Sequence, residues 1–238
     1  MILQEPFAIG AFSPPKISGL KLWLKADSLS LSNNDPVASW TDSSGSGNDA
    51  AQSTAGNKPI FNTNIINSLP AVQFDGTDDF MTLAGNPIPA NNDETIFTVI
   101  QPTLNTASQK TYATIIHGQT ATFFHVAKLS TNFWGTYTGG TGDLSSTNAL
   151  VSGTNYLLGN TSKQDGTSCV LYQRGVQVAS RAEQEVGVTG ASSGLGKDLV
   201  NANRQYAGYI AEVIIYDSVL STGNRQKVDA YLINKYAL

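Results

Sequence analysis

From Gly19 onward, short apolar runs alternate with clusters of turn-forming residues. The runs are rich in Val, Ile, Thr, Phe and Tyr, and several alternate apolar and polar residues with a period of two. TIFTVIQP (residues 95–102) and YIAEVIIYD (residues 209–217) are examples, while DSSGSGN (residues 42–48) and AGNPIPANND (residues 84–93) are typical separators. Many short strands at nearly regular spacing predict an all-β fold, an antiparallel sandwich of two sheets.

One segment near the end of the chain has a helical pattern instead. Residues 221–236 begin with Ser221, a good N-cap residue, and continue with apolar residues at helical spacing. The residues predicted along one face are Val228, Tyr231, Leu232 and either Lys235 or Tyr236. The sequence therefore predicts a short C-terminal helix after the last strand.

Residues 1–18 differ in composition from the rest and predict an N-terminal arm. Dense proline disfavours a helix and favours an extended segment; the prolines and the apolar residues between them are Pro6, Phe7, Ile9, Phe12, Pro14 and Pro15. Such an arm either docks on this domain or on a neighbouring protein, or it is a mobile terminus. Residues 19–238 contain no linker and are predicted to form one domain.

Charge and composition exclude some classes of function. Only 13% of the residues are charged and the net charge is -4, against about 25% charged residues in typical soluble domains. This profile is common among extracellular and virion β-proteins. No run of Lys or Arg occurs, which argues against nucleic-acid binding, and no apolar stretch approaches the ~20 residues needed for membrane insertion.

The ends of the chain and its single cysteine give two further expectations. Residues 1–16 lack the basic and apolar regions of a signal peptide, so we expect export by another route or as part of a particle. Cys169 is the only cysteine and lies in an apolar, strand-like run. A buried, unreactive thiol is the favoured interpretation, with a reactive thiol as the alternative.

Four stretches, in order, resemble the laminin-G-like, concanavalin A-like jelly-roll domains. They are GLKLWLKADSL (residues 19–29), SWTDSSGSGNDA (residues 39–50), PAVQFDGTDDFMTL (residues 70–83) and residues 206–236, which contain GYIAEVIIY. This combination is similar to a subtype of bacteriophage virion and bacterial surface proteins. The resemblance implies two antiparallel sheets and a binding role, commonly for carbohydrate.

The stretch SWTDSSGSGNDA has two interpretations. Gly45 and Gly47 allow unusual backbone angles, and Asp42 can accept hydrogen bonds from the nearby backbone, which is enough for a stable turn. Alternatively, the side-chain oxygens of Asp42, Asn48 and Asp49 are ligands of Ca²⁺, which needs about 6 to 8 oxygens.

The resemblance adds a fourth ligand to the calcium hypothesis. Some relatives hold a structural calcium ion near this turn with help from the closing strand, where Glu212 remains as a carboxylate here. The position that is often Asp in that strand is Ala211, which removes one ligand. A second acidic turn, with Asp75, Asp78 and Asp79, is either turn chemistry alone or completes the same site.

Catalytic chemistry has little support in the sequence. Glu212 lies among apolar residues, so it is expected to be buried and to need hydrogen-bonding or charged partners. A glycosidase needs a second carboxylate about 5 to 9.5 Å away, and the Glu-x-Asp-x-x-Glu motif of the related β-glucanases is missing. Glu183 and Glu185 have nothing to complete such a motif. We therefore expect a protein that is not an enzyme.

Sugar binding in turn favours exposed aromatic side chains, which stack on the apolar faces of sugars. NFWGTYTGG (residues 132–140) contains the candidates Asn132, Trp134 and Tyr137, although Trp134 alternatively packs between the sheets. Trp23 and Trp40 are predicted to be core residues.

The combined expectation is a non-enzymatic virion decoration protein that displays a carbohydrate-binding jelly-roll. Its expected partners are other virion proteins, contacted through residues 1–18, a host-surface glycan and further copies of itself. The alternative is a lectin-like adhesion module on the bacterial surface or secreted, and a glycosidase is the remote third option.

Overall fold

The described residues fold into two antiparallel β-sheets packed face to face, with one α-helix at the C-terminal end. The computed structural model describes residues 12–88, 93–103, 112–117, 122–128, 132–138, 142–163, 167–182, 193–199 and 204–238. The predicted fold class, an all-β, two-sheet antiparallel jelly-roll sandwich with a short C-terminal helix, is confirmed.

Sheet 1 contains eight strands, numbered in chain order. They are β1 (Leu20–Lys25), β4 (Ile60–Ile66), β5 (Leu69–Asp75), β7 (Glu94–Pro102), β12 (Tyr156–Ser162), β13 (Cys169–Gln173), β14 (Val176–Arg181) and β16 (Ala207–Tyr216). The order across the sheet is β14-β13-β12-β7-β16-β5-β4. The long strand β16 pairs with β5 through residues 207–210 and with β1 through residues 212–216.

Sheet 2 also contains eight strands. They are β2 (Ser39–Trp40), β3 (Ala50–Ala51), β6 (Met81–Leu83), β8 (Tyr112–His117), β9 (Thr122–Lys128), β10 (Phe133–Thr138), β11 (Gly142–Ala149) and β15 (Gly194–Leu195). The order is β11-β10-β9-β8-β15-β6-β3-β2.

The two faces of sheet 1 bury different sets of side chains. On β7, Ile96 and Ile100 point into the core between the sheets, whereas Phe97 and Val99 belong to a second cluster under the helix. Because successive residues of a strand point to opposite faces, a strand that is covered on both faces must be almost continuously buried. This explains why TIFTVIQP and YIAEVIIYD have long apolar runs.

Helix α1 (Thr222–Tyr236) covers the outer face of sheet 1. Ser221 is its N-cap, as predicted, and its Oγ accepts a hydrogen bond from the backbone N–H of Asn224 at 3.3 Å. The buried apolar face consists of Val228, Leu232 and Tyr236. Of the two candidates for the last position, Tyr236 is buried and Lys235 is not.

The described part of the predicted arm, residues 12–18, docks on this domain. Pro14–Lys16 form a 3-10 turn, so the prediction of an extended segment is wrong at these positions. The Tyr216 hydroxyl donates a hydrogen bond to the Pro14 carbonyl oxygen at 3.0 Å, and Ile17 is buried beside helix α1. Residues 1–11 lie outside the described residues.

Helix α1 has 15 residues. In the described parts of the chain there is no helix with the length and apolar character needed to cross a membrane.

Candidate functional site

The loop that follows β2 is organised by the carboxylate of Asp42. Its Oδ1 accepts hydrogen bonds from the backbone N–H groups of Trp23 at 2.9 Å and Ser44 at 2.8 Å. Its Oδ2 accepts from the backbone N–H of Asn48 at 3.0 Å and from the Ser44 hydroxyl at 2.7 Å. Both oxygens therefore have two donors each, and the loop is attached to the free edge of β1.

Asn48 and Asp49 strengthen the same attachment. Asn48 Nδ2 donates to the Lys21 carbonyl oxygen at 2.7 Å, and Asp49 Oδ1 accepts from the Asp42 backbone N–H at 2.7 Å. Gly45 and Gly47 have φ angles of 86° and 75°, which favour glycine. The turn interpretation of this stretch thus accounts for Asp42, Asn48 and Asp49.

Glu212 is a buried carboxylate on the other side of β1, beneath helix α1. Its Oε1 accepts from Trp23 Nε1 at 2.6 Å and from the Tyr231 hydroxyl at 3.0 Å. Its Oε2 accepts from Lys235 Nζ at 2.7 Å and from the Tyr236 hydroxyl at 2.8 Å. Burial, followed by the charge of Glu212, raises the pKa of both tyrosines well above the usual value. These contacts fasten the helix to the sheet.

The four predicted calcium ligands do not form one site. Asp42 uses both carboxylate oxygens to hold the loop, and Glu212 uses both to hold the helix. A calcium ion needs several free oxygens that converge on one point, and these side chains point to different elements. Asp42, Asn48, Asp49 and Glu212 therefore do not fit a common calcium site.

Asp75, Asp78 and Asp79 have ligand oxygens within 4.8 Å of one another. Asp75 Oδ1 accepts from the backbone N–H of Thr77 at 2.7 Å, and Asp79 Oδ2 accepts from that of Asp75 at 2.9 Å. Burial, with the adjacent charges of Asp75 and Asp78, raises the pKa of Asp79 to about 7. Within the described residues, neither Asp42 nor Asp49 belongs to this group, so the two acidic turns do not complete one metal centre.

The predicted ligand-binding stretch has three outcomes. Trp134 is fully buried, and its Nε1 donates to Gln173 Oε1 at 3.2 Å, so its prediction as a stacking platform is wrong and the core alternative is correct. Asn132 is half-buried at the start of β10, with a φ of 56°. The Tyr137 backbone lies in β10, but its side chain is outside the description. Asn132 and Tyr137 remain predictions.

The remaining predictions, on two tryptophans, the cysteine and two glutamates, have different outcomes. Trp40 is fully buried, as predicted. Trp23, which was also predicted to be a core residue, is only half-buried on the outer face of sheet 1, where its Nε1 donates a hydrogen bond to Glu212 Oε1 at 2.6 Å. Cys169 is buried, as expected. Glu183 and Glu185 lie outside the described residues.

The sequence did not reveal one buried polar cluster, which joins Asp198 to the side chains of His117 and Arg204. Asp198 Oδ1 lies 3.2 Å from His117 Nε2, and its Oδ2 lies 3.2 Å from Arg204 Nη1. The Asp198 and His117 side chains are at most 1% exposed. These residues lie in separate turns and strands, so no local motif indicates their contact.

No protein-family description matches the chain, and no curated protein matches it by sequence. The fold nevertheless resembles solved structures. The binding domain of Paraclostridial Mosquitocidal Protein 1 superposes with a TM-score of 0.67 at 14% identity, over 91% of this chain and 53% of that one. The chain thus spans about half the length of that binding domain.

Two further likenesses involve domains of enzymes. Domain 4 of AbnA, a GH43 extracellular arabinanase from Geobacillus stearothermophilus solved with arabinotriose, gives a TM-score of 0.59 at 15% identity, over 88% of this chain and 98% of that one. Trypanosoma rangeli sialidase gives 0.59 at 14% identity, over 92% of this chain but only 33% of that one. At these identities the likeness establishes the sandwich fold.

Proposed function

We propose that this chain is a lectin-like module that binds carbohydrate and does not catalyse a reaction. One observation carries the proposal: its fold matches, over 88% of the chain, a domain that was solved in complex with arabinotriose. The low charge and polar composition agree with an extracellular setting. Because one fold hosts many functions, the proposal depends on a direct binding measurement.

The module belongs to a larger assembly in this proposal. Its first setting is the virion surface, where it decorates a phage particle, contacts other virion proteins through its N-terminal arm and forms a homo-oligomer. The second setting, equally compatible with the fold likeness, is a secreted or surface-bound bacterial adhesin. Both settings use the same glycan-binding activity, so that activity is tested first.

The binding surface proposed here includes β10. Asn132 is half-buried at the start of this strand, and Tyr137 is the aromatic residue that follows Trp134 on it. With Trp134 in the core, Tyr137 is the remaining stacking candidate of the three. Stacking on an aromatic side chain with a hydrogen bond from a neighbouring amide is a common mode of sugar recognition.

The test is a glycan array probed with the purified protein and with Tyr137→Ala and Asn132→Ala. Loss of one aromatic stacking contact, worth about 1 kcal/mol, should weaken binding of the best glycan about fivefold or more. Val176→Ala is the matched surface control, because Val176 is 66% exposed on β14 in the other sheet. Absence of glycan binding by the wild type contradicts the proposed function, whereas binding that survives both variants moves the site away from β10.

The non-catalytic part of the proposal has its own test. Glycans that bind on the array are incubated with the protein and examined by mass spectrometry for shorter products. We expect no hydrolysis, and release of a sugar would show that the chain is an enzyme.

A further inference from the structure

Asn160 is a polar side chain in the middle of the sandwich core that makes no hydrogen bond to the residues that the structure describes. The residue is 0% exposed, and neither its Oδ1 nor its Nδ2 has a partner. An amide buried without hydrogen bonds costs a few kcal/mol, and such groups are rare in folded proteins. The position therefore requires an explanation.

The register of sheet 1 shows which way Asn160 points. It lies on β12 between Ile96 of β7 and Leu171 of β13, and both pairings continue without a bulge. Tyr156 and Leu158 on the same strand face the core between the sheets, whereas Leu157 belongs to the cluster under the helix. Because side chains alternate along a strand, Asn160 faces the interior between the sheets.

This part of the interior contains further polar side chains. Thr98 and Ser162 are buried on the same face of sheet 1. Thr98 lies on β7, diagonally across from Asn160, and Ser162 lies two residues after Asn160 on β12. Thr136 approaches from sheet 2, where its Oγ1 lies 3.8 Å from the Sγ of Cys169, the neighbour of Ser162. The core is thus lined with hydroxyl and amide groups at this level, rather than with hydrocarbon alone.

We propose that a buried water molecule is bound at Asn160 between the two sheets. The amide presents one acceptor and two donor hydrogens, so its ligand must both donate and accept hydrogen bonds. Water does both, whereas a cation would contact only Oδ1 and an anion only the N–H₂ group, and either would leave the other group unsatisfied. Buried waters usually make about three hydrogen bonds, and the buried side chains of Thr98, Ser162 and Thr136 make this level of the core polar.

A crystal structure of the full chain, at a resolution that shows ordered water, tests the proposal. The expected result is a water molecule about 2.7–3.2 Å from both Asn160 Oδ1 and Nδ2. An empty position, in a map where other buried waters are visible, overturns the proposal.

Asn160→Leu provides an independent test in solution. Leucine has a similar size but no polar atoms, so it improves the core if the amide is unsatisfied and damages it if a water network is present. We expect the Tm to fall by about 2–8 °C. A rise in Tm overturns the proposal, and if the variant does not fold, the crystal structure of the wild type decides.

Discussion

Glu212 shows how one buried residue joins three parts of the chain. It accepts hydrogen bonds from Trp23 of β1 and from Tyr231, Lys235 and Tyr236 of helix α1. Glu212→Gln keeps the shape but removes the buried negative charge beside Lys235, which retains its ion pair with the partly exposed Asp27 at 3.0 Å, so the free energy of unfolding should fall by about 1–3 kcal/mol. Urea denaturation followed by tryptophan fluorescence measures this change.

The control for Glu212→Gln is Asp217→Asn, which breaks the Lys21–Asp217 ion pair at the surface. Both side chains of that pair are at least 31% exposed, so its loss should cost at most about 1 kcal/mol. Equal effects of the two variants would contradict the role of Glu212 as the junction between helix and sheet.

A second prediction concerns Asp42, whose carboxylate accepts hydrogen bonds from the loop that follows β2. In Asp42→Asn one oxygen becomes an N–H₂ group, which is unable to accept from Ser44 or Asn48. The free energy of unfolding should fall by about 2–3 kcal/mol. Thermal melting of the wild type should give the same Tm with calcium and with EDTA. A Tm that rises with calcium in the wild type but not in Asp42→Asn would support the calcium hypothesis instead.

At the scale of elements, the hairpin between β4 and β5 caps the C-terminal end of helix α1. Asn67 and Ser68 have φ angles of 50° and 59°, as in a type I′ turn, and Asn67 Nδ2 donates to the Lys235 carbonyl oxygen at 2.9 Å. Asn67→Asp replaces this donor by an anion at the negative end of the helix dipole, and we expect the free energy of unfolding to fall by about 1 kcal/mol. Asn67→Gly keeps the turn but introduces no charge, so it should lower the free energy of unfolding by less than Asn67→Asp does, as measured by urea denaturation.

The acidic turn after β5 makes stability depend on pH. The pKa of Asp79 is raised to about 7 in the folded state from 3.8, so the folded protein binds more protons between these values. Stability therefore falls as the pH rises through this window. Asp79→Asn should reduce the slope of Tm against pH between pH 4 and 7, with the remainder due to Asp229, whose pKa is raised by burial to about 6, while the exposed neighbour Asp78→Asn should retain most of the slope. An unchanged slope in Asp79→Asn would assign the pH dependence to another group.

For the molecule as a whole, the sequence predicted what depends on neighbouring residues. Strand alternation, the N-cap Ser221 and the turn chemistry of residues 42–49 are local signals, and all three appear in the structure. Contacts distant in sequence were not predictable: Trp23 and Glu212 are 189 residues apart. The burial of Trp134 likewise follows from its Gln173 partner, 39 residues away on the opposite sheet. The stacking role of Trp134 was wrong for this reason, because it required knowing where the side chain points.

The N-terminal arm supplies a prediction for the whole molecule, because its described part belongs to the fold. A protein that starts at Phe12 keeps the Pro14–Tyr216 hydrogen bond and the buried Ile17, so its Tm and glycan binding should equal those of the full chain. A protein that starts at Gly19 loses both contacts and uncovers apolar surface beside helix α1, which should lower the Tm by several degrees.

The two truncations also separate the two proposed settings. If residues 1–11 attach the module to a virion, the protein that starts at Phe12 should bind glycan normally but fail to co-sediment with particles that lack the full-length protein. Co-sedimentation of both forms would remove the attachment role from residues 1–11. Loss of glycan binding in the shorter form, at an unchanged Tm, would instead place the arm in the binding surface, since its docked residues already lie against the domain.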